Sequence, residues 1–195
     1  MGIETGLAIT CADLQATGGI KRILIRAWAD GDAATYGAAG QHTITSLVDT
    51  GAATADWGVY EFKNETPALT VSATKEMGST AFECGLSFFL PKLEYLKFNI
   101  IESITNSCLM VIAVDTNDNA FVLGVSEKYE NESVSSRNQT FAQLATVEGG
   151  TGAAYSDESG ITISLMARQF EMPRQYVPSA TGITVAADGL TATTD

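Results

Sequence analysis

The sequence has few of the side chains that most often bind metals or carry out nucleophilic chemistry. It contains one histidine, His42, and three cysteines, Cys11, Cys84 and Cys108, among 195 residues. A single histidine excludes a multi-histidine metal site, and no two cysteines have the C-x-x-C spacing of zinc and redox motifs. Because a free cysteine behaves as a small apolar residue, we expect all three to be buried and reduced.

Basic residues are scarce as well, with 11 lysines and arginines against 23 acidic residues and a net charge of −12. A protein that binds nucleic acid by neutralising phosphates needs the opposite balance, so the charge argues against that class. The longest purely apolar run, residues 108–114, is far shorter than the roughly 20 residues of a membrane-spanning helix. The first four residues lack the basic and apolar regions of a signal peptide, so we expect no membrane partner.

Alternation of apolar and polar residues is the dominant pattern, and it predicts β-strands with one buried face. The pattern runs through residues 69–74, 80–90 and 161–168, and residues 20–28 are rich in β-branched side chains. Residues 108–114 are apolar throughout, which is typical of a strand covered on both faces. Turn-forming residues follow at 115–119, so this strand is predicted to form a hairpin with residues 121–123.

One amphipathic helix is predicted over residues 92–105, because Pro91 suits the start of a helix and apolar residues recur on one helical face. We expect that face to pack on the buried side of the strand at residues 80–90. The residues in contact would be Leu96, Ile100 and Ile104 of the helix and Phe82, Leu86 and Phe88 of the strand.

Elsewhere the sequence is predicted to form long loops of small residues, over 30–40, 49–55 and 148–160, with a short helix considered over 137–144. No repeat or break in composition divides residues 1–177, so they are predicted to form a single domain. Residues 178–195 are predicted to be a tail, or an arm that becomes ordered on a neighbour, with apolar residues for one strand. The fold class is therefore mainly β: an antiparallel β-barrel or sandwich with one flanking α-helix and long loops.

One motif resembles the start of a calcium-binding loop. The residues Asp115-x-Asn117-x-Asn119 have the right alternation of oxygen ligands. A complete loop needs glycine where Ala120 stands and glutamate where Ser126 stands, so a hairpin turn is favoured.

Other patterns that could carry chemistry are also incomplete. The glycine-rich residues 149–152 are not followed by the lysine of a phosphate-binding loop. His42 has no nucleophile motif near it, and adjacent acidic residues are expected by chance in an acidic chain. No catalytic set survives, so we expect a protein that is not an enzyme and needs no cofactor or metal.

The order of the elements resembles that of virion structural proteins of tailed bacteriophages, most nearly the tail tube subunit. The resemblance is carried by a glycine-bearing N-terminal arm, the strands at 69–74 and 80–90, the helix at 92–105, the hairpin at 109–125 and the return strand at 160–170. It covers about residues 60–172 and rests on layout, since no diagnostic motif is present. Residues 29–55 and the acidic, polar tail after Pro178 have no counterpart in it.

The resemblance implies a β-barrel or sandwich flanked by one helix, with six copies in a ring and rings stacked into a tube. Inner strands of adjacent copies would close into one continuous barrel around a channel for the genome. The partners would be other copies, other virion proteins, and genomic DNA in transit without tight binding. An acidic wall suits that role because it repels phosphates. The protein would be located in the virion, in the viral tail, after assembly in the host cytoplasm.

Two sets of residues are candidates for these roles. The polar positions of the strand pair are candidates for the channel lining: Thr70, Ser72, Thr74, Glu76 and Glu83. A charged strand face and a glycine-rich loop supply the candidates for contacts between subunits: Arg22, Arg26, Gly150, Gly152 and Asp157. The two arginines share one face of a strand, where they would meet acidic side chains of a neighbouring strand or subunit.

Three other functions are weighed against the tube subunit. A capsid decoration protein or a head–tail connector has the same acidic, β-rich and loop-rich character. A carbohydrate-binding β-sandwich module would need exposed aromatic residues clustered on one face, and the chain offers only Trp28, Trp57 and scattered tyrosines. A hydrolase is the weakest alternative, because no catalytic set is present.

Overall fold

The computed structural model describes the chain in stretches between Gly18 and Thr194. These are residues 18–28, 33–38, 41–48, 57–62, 67–76, 79–127, 140–154, 158–169, 171–178, 183–185 and 191–194. They form thirteen strands and one helix. The strands are β1 (Ile20–Ala27), β2 (Ala33–Tyr36), β3 (Thr43–Val48), β4 (Trp57–Glu61), β5 (Ala68–Glu76), β6 (Ser79–Pro91), β7 (Leu109–Asp115), β8 (Ala120–Leu123), β9 (Ala142–Gly150), β10 (Gly160–Gln169), β11 (Arg174–Tyr176), β12 (Thr184–Val185) and β13 (Thr191–Thr193). The helix is α1 (Tyr95–Thr105).

The strands belong to one branched, strongly curled sheet that forms a half-barrel. Its main path runs β12-β13-β4-β1-β7-β8-β11-β3-β2. A branch in the order β9-β10-β6-β5 joins this path at β7 through the pair Leu109 and Ala142. The described pairs are antiparallel except for β11 with β3. The predicted fold class, mainly β with a barrel-like or sandwich-like sheet and one helix, is confirmed.

Apolar residues form two cores, one on each face of the central strands β1, β7 and β8. The first core lies between these strands and the branch, and includes Ile23, Val111, Leu86, Phe88 and Ile163. The second lies on the opposite face, and includes Leu24, Ile112, Val122, Trp57 and Ile44. Successive residues of a strand point to opposite faces, so β7 sends alternate side chains into different cores. Residues 109–114 are all buried, which confirms the predicted strand covered on both faces.

The predicted alternating strands are also confirmed. They correspond to β5, β6 and β10, which pair side by side in the branch. Cys84, Leu86 and Phe88 of β6 are buried, and they face Ala167, Leu165 and Ile163 of β10 in register. The apolar face of this pair packs on the first core and leaves the other face of each strand to solvent. The predicted hairpin is formed by β7 and β8.

The helix starts at Tyr95, three residues later than predicted, and only part of its expected contact face is correct. Ile104 is buried, and Ile100 and Ile101 pack against the first core. Leu96 is 55% exposed, so its predicted contact with the strand is wrong. The buried stripe is centred on Ile104, and at 3.6 residues per turn Leu96 lies about a quarter turn away from it.

Strand β9 corrects the short helix predicted at 137–144, whose residues 137–139 lie outside the described residues, and the first three residues of the loop predicted at 148–160. Residues 142–150 pair with β10 along their length, with Gly149 opposite Ile161 and Gly150 opposite Gly160. A Cβ on Gly149 would lie 2.7 Å from the carbonyl oxygen of Gly160. The glycines therefore permit a close backbone approach within the sheet, where the composition alone suggested a loop.

Strand β2 corrects the loop predicted over residues 30–40. Residues 33–36 pair with β3, and Ala34 and Tyr36 pack against the second core. This short strand lacks a run of large apolar residues, so its pairing with β3 rather than its composition explains it. The predicted loop at 49–55 lies outside the described residues.

The segment at 178–195, predicted to be a tail or an arm, contributes two strands to the sheet of its own chain. Strand β13 pairs with β4, where Ala192 lies opposite Trp57 and is buried. Strand β12 pairs with β13, and Ile183 and Val185 pack against the second core.

The described cysteines differ in exposure. Cys84 is buried as predicted, and burial raises the pKa of its thiol to about 11. Cys108 is exposed, so its predicted burial is wrong. It precedes the buried strand β7 rather than belonging to it. Cys11 lies outside the described residues.

In the described part of the chain, no helix combines the length and the apolar composition needed to cross a bilayer.

Truncating the buried end of α1 tests how this helix is placed. We expect Ile104→Ala to lower the free energy of unfolding by about 2–4 kcal/mol, because the side chain is 6% exposed and contacts the first core. The matched control is Leu96→Ala on the exposed flank, for which we expect a change below about 0.5 kcal/mol. Urea unfolding followed by circular dichroism measures both. Equal losses for the two variants would contradict the placement of the helix.

Candidate functional site

One face of the branch formed by β5, β6, β10 and β9 is rich in polar side chains and is here called the polar face. Residues that pair across an antiparallel sheet project on the same side of it. Thr70, Ser72 and Thr74 of β5 are opposite Gly85, Glu83 and Ala81 of β6. Four of the five predicted lining residues, Thr70, Ser72, Thr74 and Glu83, therefore share this face. The fifth, Glu76, ends β5 opposite Ser79, and its side chain lies outside the described residues.

The polar face continues across the other two strands of the branch. It includes Thr162, Ser164, Met166 and Arg168 of β10 and Gln143, Thr146 and Glu148 of β9. Ser87 of β6 lies opposite Ser164, so hydroxyl-bearing side chains occur on all four strands. This continuity follows from the alternation of each strand, because the apolar positions of the same strands face the first core.

The polar face is close to electrically neutral over its described side chains. Its charged groups are Glu83, Glu148 and Arg168, and the Arg168 Nε atom lies 3.7 Å from the Glu83 Oε1 atom. Both partners of this ion pair are largely exposed, so its contribution to stability is small. The surface is therefore defined by hydroxyl groups more than by the acidic charge that the sequence suggested.

Two hydroxyl groups of β5 are satisfied by the neighbouring backbone. The Thr70 Oγ1 group donates a hydrogen bond of 3.2 Å to the Gly85 carbonyl, and the Ser72 hydroxyl donates one of 3.5 Å to the Glu83 carbonyl. A Cβ at Gly85 would lie 2.9 Å from Thr70 Oγ1, so the glycine leaves room for this contact. These hydrogen bonds order the two hydroxyl groups on a solvent-exposed face of the sheet.

Both outer strands of the branch have an open edge within the described residues. Strand β5 pairs only with β6. Strand β9 pairs with β10 and reaches β7 only at Ala142, so residues 143–150 have no partner on their other side. Each of these two strands has nine residues. Their unpaired N–H and C=O groups can form hydrogen bonds with another strand.

The predicted subunit-contact residues lie in different surroundings. Arg22 of β1 forms an ion pair of 3.2 Å with Glu61 of the neighbouring strand β4. Arg26 is buried, with its guanidinium carbon 5.9 Å from the centre of the Trp57 ring. Both arginines therefore have contacts inside their own chain and lie away from the polar face.

The glycine-rich candidates lie at one corner of the branch. Gly150 is the last residue of β9, and Gly152 follows it in the turn with a φ of +71°, which glycine adopts readily. Both are exposed. Asp157 lies outside the described residues. Whether Gly150 and Gly152 contact another subunit stays a prediction.

A buried polar cluster around Arg174 was not predicted from the sequence. The Arg174 Nη2 atom donates a hydrogen bond of 2.9 Å to Glu171 Oε2 and forms a second ion pair with Glu127. The Ser126 hydroxyl donates a bond of 3.0 Å to Glu171 Oε1. The Arg174 guanidinium also lies 5.0 Å from the ring centre of Tyr36. The cluster joins the end of the β8 segment to β11 and β2, so it has a structural role in closing the second core.

The environment of this cluster lowers the pKa of Glu171. Burial alone would raise the pKa of the carboxyl group, but hydrogen bonds from Arg174, Ser126 and the Glu127 backbone and the charge of Arg174 outweigh it. For Arg174, burial opposes the charged form, and Glu171 and Glu127 more than compensate, so its pKa is raised.

The Asp115 turn forms a hairpin connection, as predicted. The Asp115 carboxylate accepts hydrogen bonds from the backbone N–H groups of Asn117 and Asn119, at 2.9 Å and 2.7 Å. Its oxygens are thus used within the turn itself, which is the usual behaviour of aspartate at this position. Within the stretches that the structure describes, no three His, Cys, Asp or Glu side chains are grouped as metal ligands would be.

No protein family, curated protein or solved structure matches the chain.

The lowered pKa of Glu171 predicts an acid-sensitive contribution to stability. Such a carboxyl group binds fewer protons in the folded state, so its contribution is complete above the unfolded pKa, about 4.3, and is lost as the pH falls through the folded pKa. We expect the melting temperature of the parent to fall below about pH 4.3 and the Glu171→Gln variant to show a shallower decline.

The matched control for this experiment is Glu148→Gln, an exposed carboxylate at the open end of β9. Thermal unfolding from pH 7 to pH 2.5 would be followed for all three proteins. If the decline of Glu171→Gln parallels those of the parent and the control, Glu171 does not carry the acid sensitivity.

Proposed function

We propose that the chain is a structural subunit that joins copies of itself edge to edge into rings, as the tail tube protein of a phage virion. The single observation that carries this proposal is the pair of open edges at the two ends of the polar-faced branch. Each edge belongs to a strand of nine residues. If β9 of one copy paired with β5 of the next, the unpaired backbone N–H and C=O groups of both edges would form hydrogen bonds.

The strand directions are compatible with this junction. Neighbours in the branch are antiparallel, so β5 and β9 run in opposite directions at its two ends. With four strands in the branch, β9 of one copy meets β5 of the next in antiparallel orientation while both copies keep the same orientation. The contact is then heterologous, and such contacts form a ring when the rotation from one copy to the next closes on itself.

The number of copies sets the size of the enclosed space. In the proposed tube, six copies with four strands each would form a barrel of about 24 strands. Barrels above about 16 strands enclose an aqueous channel. The apolar positions of β6 and β10, at the centre of the branch, are buried in the first core of the same chain. The polar face is therefore the one available to line the channel.

A lining of hydroxyl groups suits genomic DNA in transit without tight binding. Arg168 on the polar face is matched by Glu83, and the chain as a whole carries −12. Phosphate affinity rises with the number of unpaired basic contacts, and this face offers few of them. The other partners would be further copies and other virion proteins, in a viral tail assembled in the host cytoplasm.

The alternatives differ in what they require of the surface. A decoration or connector protein would also assemble with copies or virion partners, but without stacking into tubes. A carbohydrate-binding module is less well supported, because Trp57 is 1% exposed and Trp28 packs on Phe141 with ring centres 5.4 Å apart. Neither tryptophan is placed to stack on a sugar.

A proline on the open edge of β9 tests the junction. The register shift between β9 and β10 leaves Ala145 without a partner in β10, and proline is tolerated at such bulges while removing an N–H donor. We expect Ala145→Pro to melt within about 5 °C of the parent and to remain monomeric at concentrations where the parent forms rings or tubes. Light scattering and negative-stain microscopy provide the two measurements.

The matched control is Ala145→Ser, which keeps the backbone N–H and should assemble like the parent. The edge junction is refuted if the parent stays monomeric over a wide concentration range, or if folded Ala145→Pro assembles normally.

The size of the reagent that reaches the polar face tests the channel assignment. In a background with Cys11→Ser and Cys108→Ser, Ser72→Cys should react with a small maleimide in both free subunits and assembled tubes. A maleimide coupled to a globular protein should react only with free subunits, because the channel excludes it.

Glu102→Cys, on the exposed side of α1, is the matched control and should react with both reagents in both states. Equal reaction of assembled Ser72→Cys with the large reagent would place the polar face on the outside of the tube.

A further inference from the structure

A cavity of about 250 Å³ lies beside the second core, and the pairing of four strands explains its position. Arg22 of β1 pairs with Val114 of β7, and Val114 pairs with Ala120 of β8. Ala120 in turn pairs with Tyr176 of β11. Residues that pair across neighbouring strands project on the same face of a sheet, so these four side chains form one row. All four line the cavity.

The short side chains in the middle of this row leave the space. Val114 and Ala120 stand between the longer side chains of Arg22 and Tyr176. Val114, Ala120 and Tyr176 are buried and belong to the second core. Ile183, which packs against the same core, also lines the cavity. One side of the cavity is therefore apolar and fixed in position by the packed sheet.

The charged side chains of the described lining carry an excess of positive charge. Lys21 and Arg22 line the cavity together with one acidic residue, Asp118. Two cations and one anion give a formal charge of +1 there, in a chain whose net charge is −12. Basic residues are the scarce class in this sequence, 11 against 23 acidic residues. Two of them at one cavity favour an anionic ligand.

The partners of both cations are exposed and can be replaced. Among the described residues Arg22 has one polar partner, Glu61, at 3.2 Å from Nη2, although a guanidinium carries five N–H donors. The ammonium group of Lys21 forms an ion pair with Asp118. Glu61 is 57% exposed and Asp118 is 79% exposed. Ion pairs of this kind contribute little to stability, so the carboxylate of a ligand can compete with them.

We propose that this cavity binds a small organic carboxylate. The carboxylate group lies at Lys21 and Arg22, where the planar guanidinium can donate two parallel hydrogen bonds to it. The apolar part of the ligand contacts Val114, Ala120 and Ile183. An apolar cavity with a few polar groups is the usual form of a small-molecule site. The inference is independent of assembly, because one copy of the chain supplies every residue of the site.

Titration with benzoate tests the site. Benzoate joins a carboxylate to a single ring, and benzamide is the matched control ligand, with nearly the same shape and no charge. Saturation-transfer NMR observes the ligand and is suitable for the full chain in any state of assembly. At constant ionic strength and up to about 10 mM ligand, we expect saturable binding of benzoate and at least about tenfold weaker binding of benzamide. Inorganic phosphate, which has no apolar part, should not displace benzoate.

Two substitutions should weaken the binding of benzoate. Arg22→Gln removes the guanidinium, and we expect the affinity to fall at least about tenfold. Lys21→Gln changes a partly exposed side chain and should lower the affinity about two- to fivefold. It also tests the site if Arg22→Gln does not fold. The matched control is Arg168→Gln, which removes an arginine that is likewise paired with a glutamate, Glu83, but on the polar face. Its affinity for benzoate should equal that of the parent.

A third substitution should have the opposite effect. Asp118→Asn removes the acidic residue of the lining and the group that competes for Lys21. Asp118 has a φ of +67°, a conformation that asparagine also adopts, so the turn should be retained. We expect the affinity for benzoate to rise about two- to fivefold. A purely structural role of the ion pair between Lys21 and Asp118 would not produce this gain.

The proposal is overturned if benzoate gives no saturable binding, or if benzamide binds equally well or phosphate displaces benzoate. It is also overturned if Lys21→Gln and Asp118→Asn leave the affinity unchanged, or if Arg168→Gln lowers it as much as the substitutions at the cavity. A loss of affinity in Lys21→Gln together with a gain in Asp118→Asn supports the site.

Discussion

The constraint on which the structure depends is that β7 must be covered on both of its faces. Its residues from Leu109 to Val114 are all buried, and they alternate between two cores. One layer cannot bury such a strand, so the sheet branches at β7 and curls. The branch and α1 cover one face, while strands β3, β4, β11 and β13 close over the other. Cluster residues such as Arg174 and Glu171 hold the curled end together.

The need to cover β7 determines which surfaces of the branch remain exposed. Its inner strands β6 and β10 bury their apolar face in the first core, and within the described residues the hydroxyl-rich face and the outer edges of β5 and β9 remain open. Open edges of nine-residue strands favour uncontrolled pairing unless a partner occupies them. In the proposed ring, a second copy would occupy these edges and leave the polar face to line the channel. The proposed assembly role therefore rests on surfaces that folding leaves open within the described residues of one copy.

The charge expected on the proposed channel wall differs between the sequence and the structure. The net charge of −12 suggested a wall that repels DNA by acidity. On the polar face, however, Glu83 is close to Arg168, and hydroxyl-bearing side chains outnumber the charged ones. Weak interaction with DNA would then arise from the shortage of unpaired cations. The acidic charge distributed over the rest of the subunit adds a longer-range repulsion.

The sequence by itself determined the strands whose alternation or apolar content is strong, β5, β6, β7 and β10, and it placed Thr70, Ser72 and Thr74 on one face. These features are local, because a period of two residues decides which side chains share a face. Only the tertiary structure decided that β9 is a strand, since its small and polar residues become ordered by pairing with β10. It also decided that Leu96 is exposed, and it assembled the Arg174 cluster from residues as distant in the sequence as Tyr36 and Arg174. The open edges were likewise decided only by the tertiary structure. The order of strands in a sheet depends on contacts between distant segments that no local pattern contains.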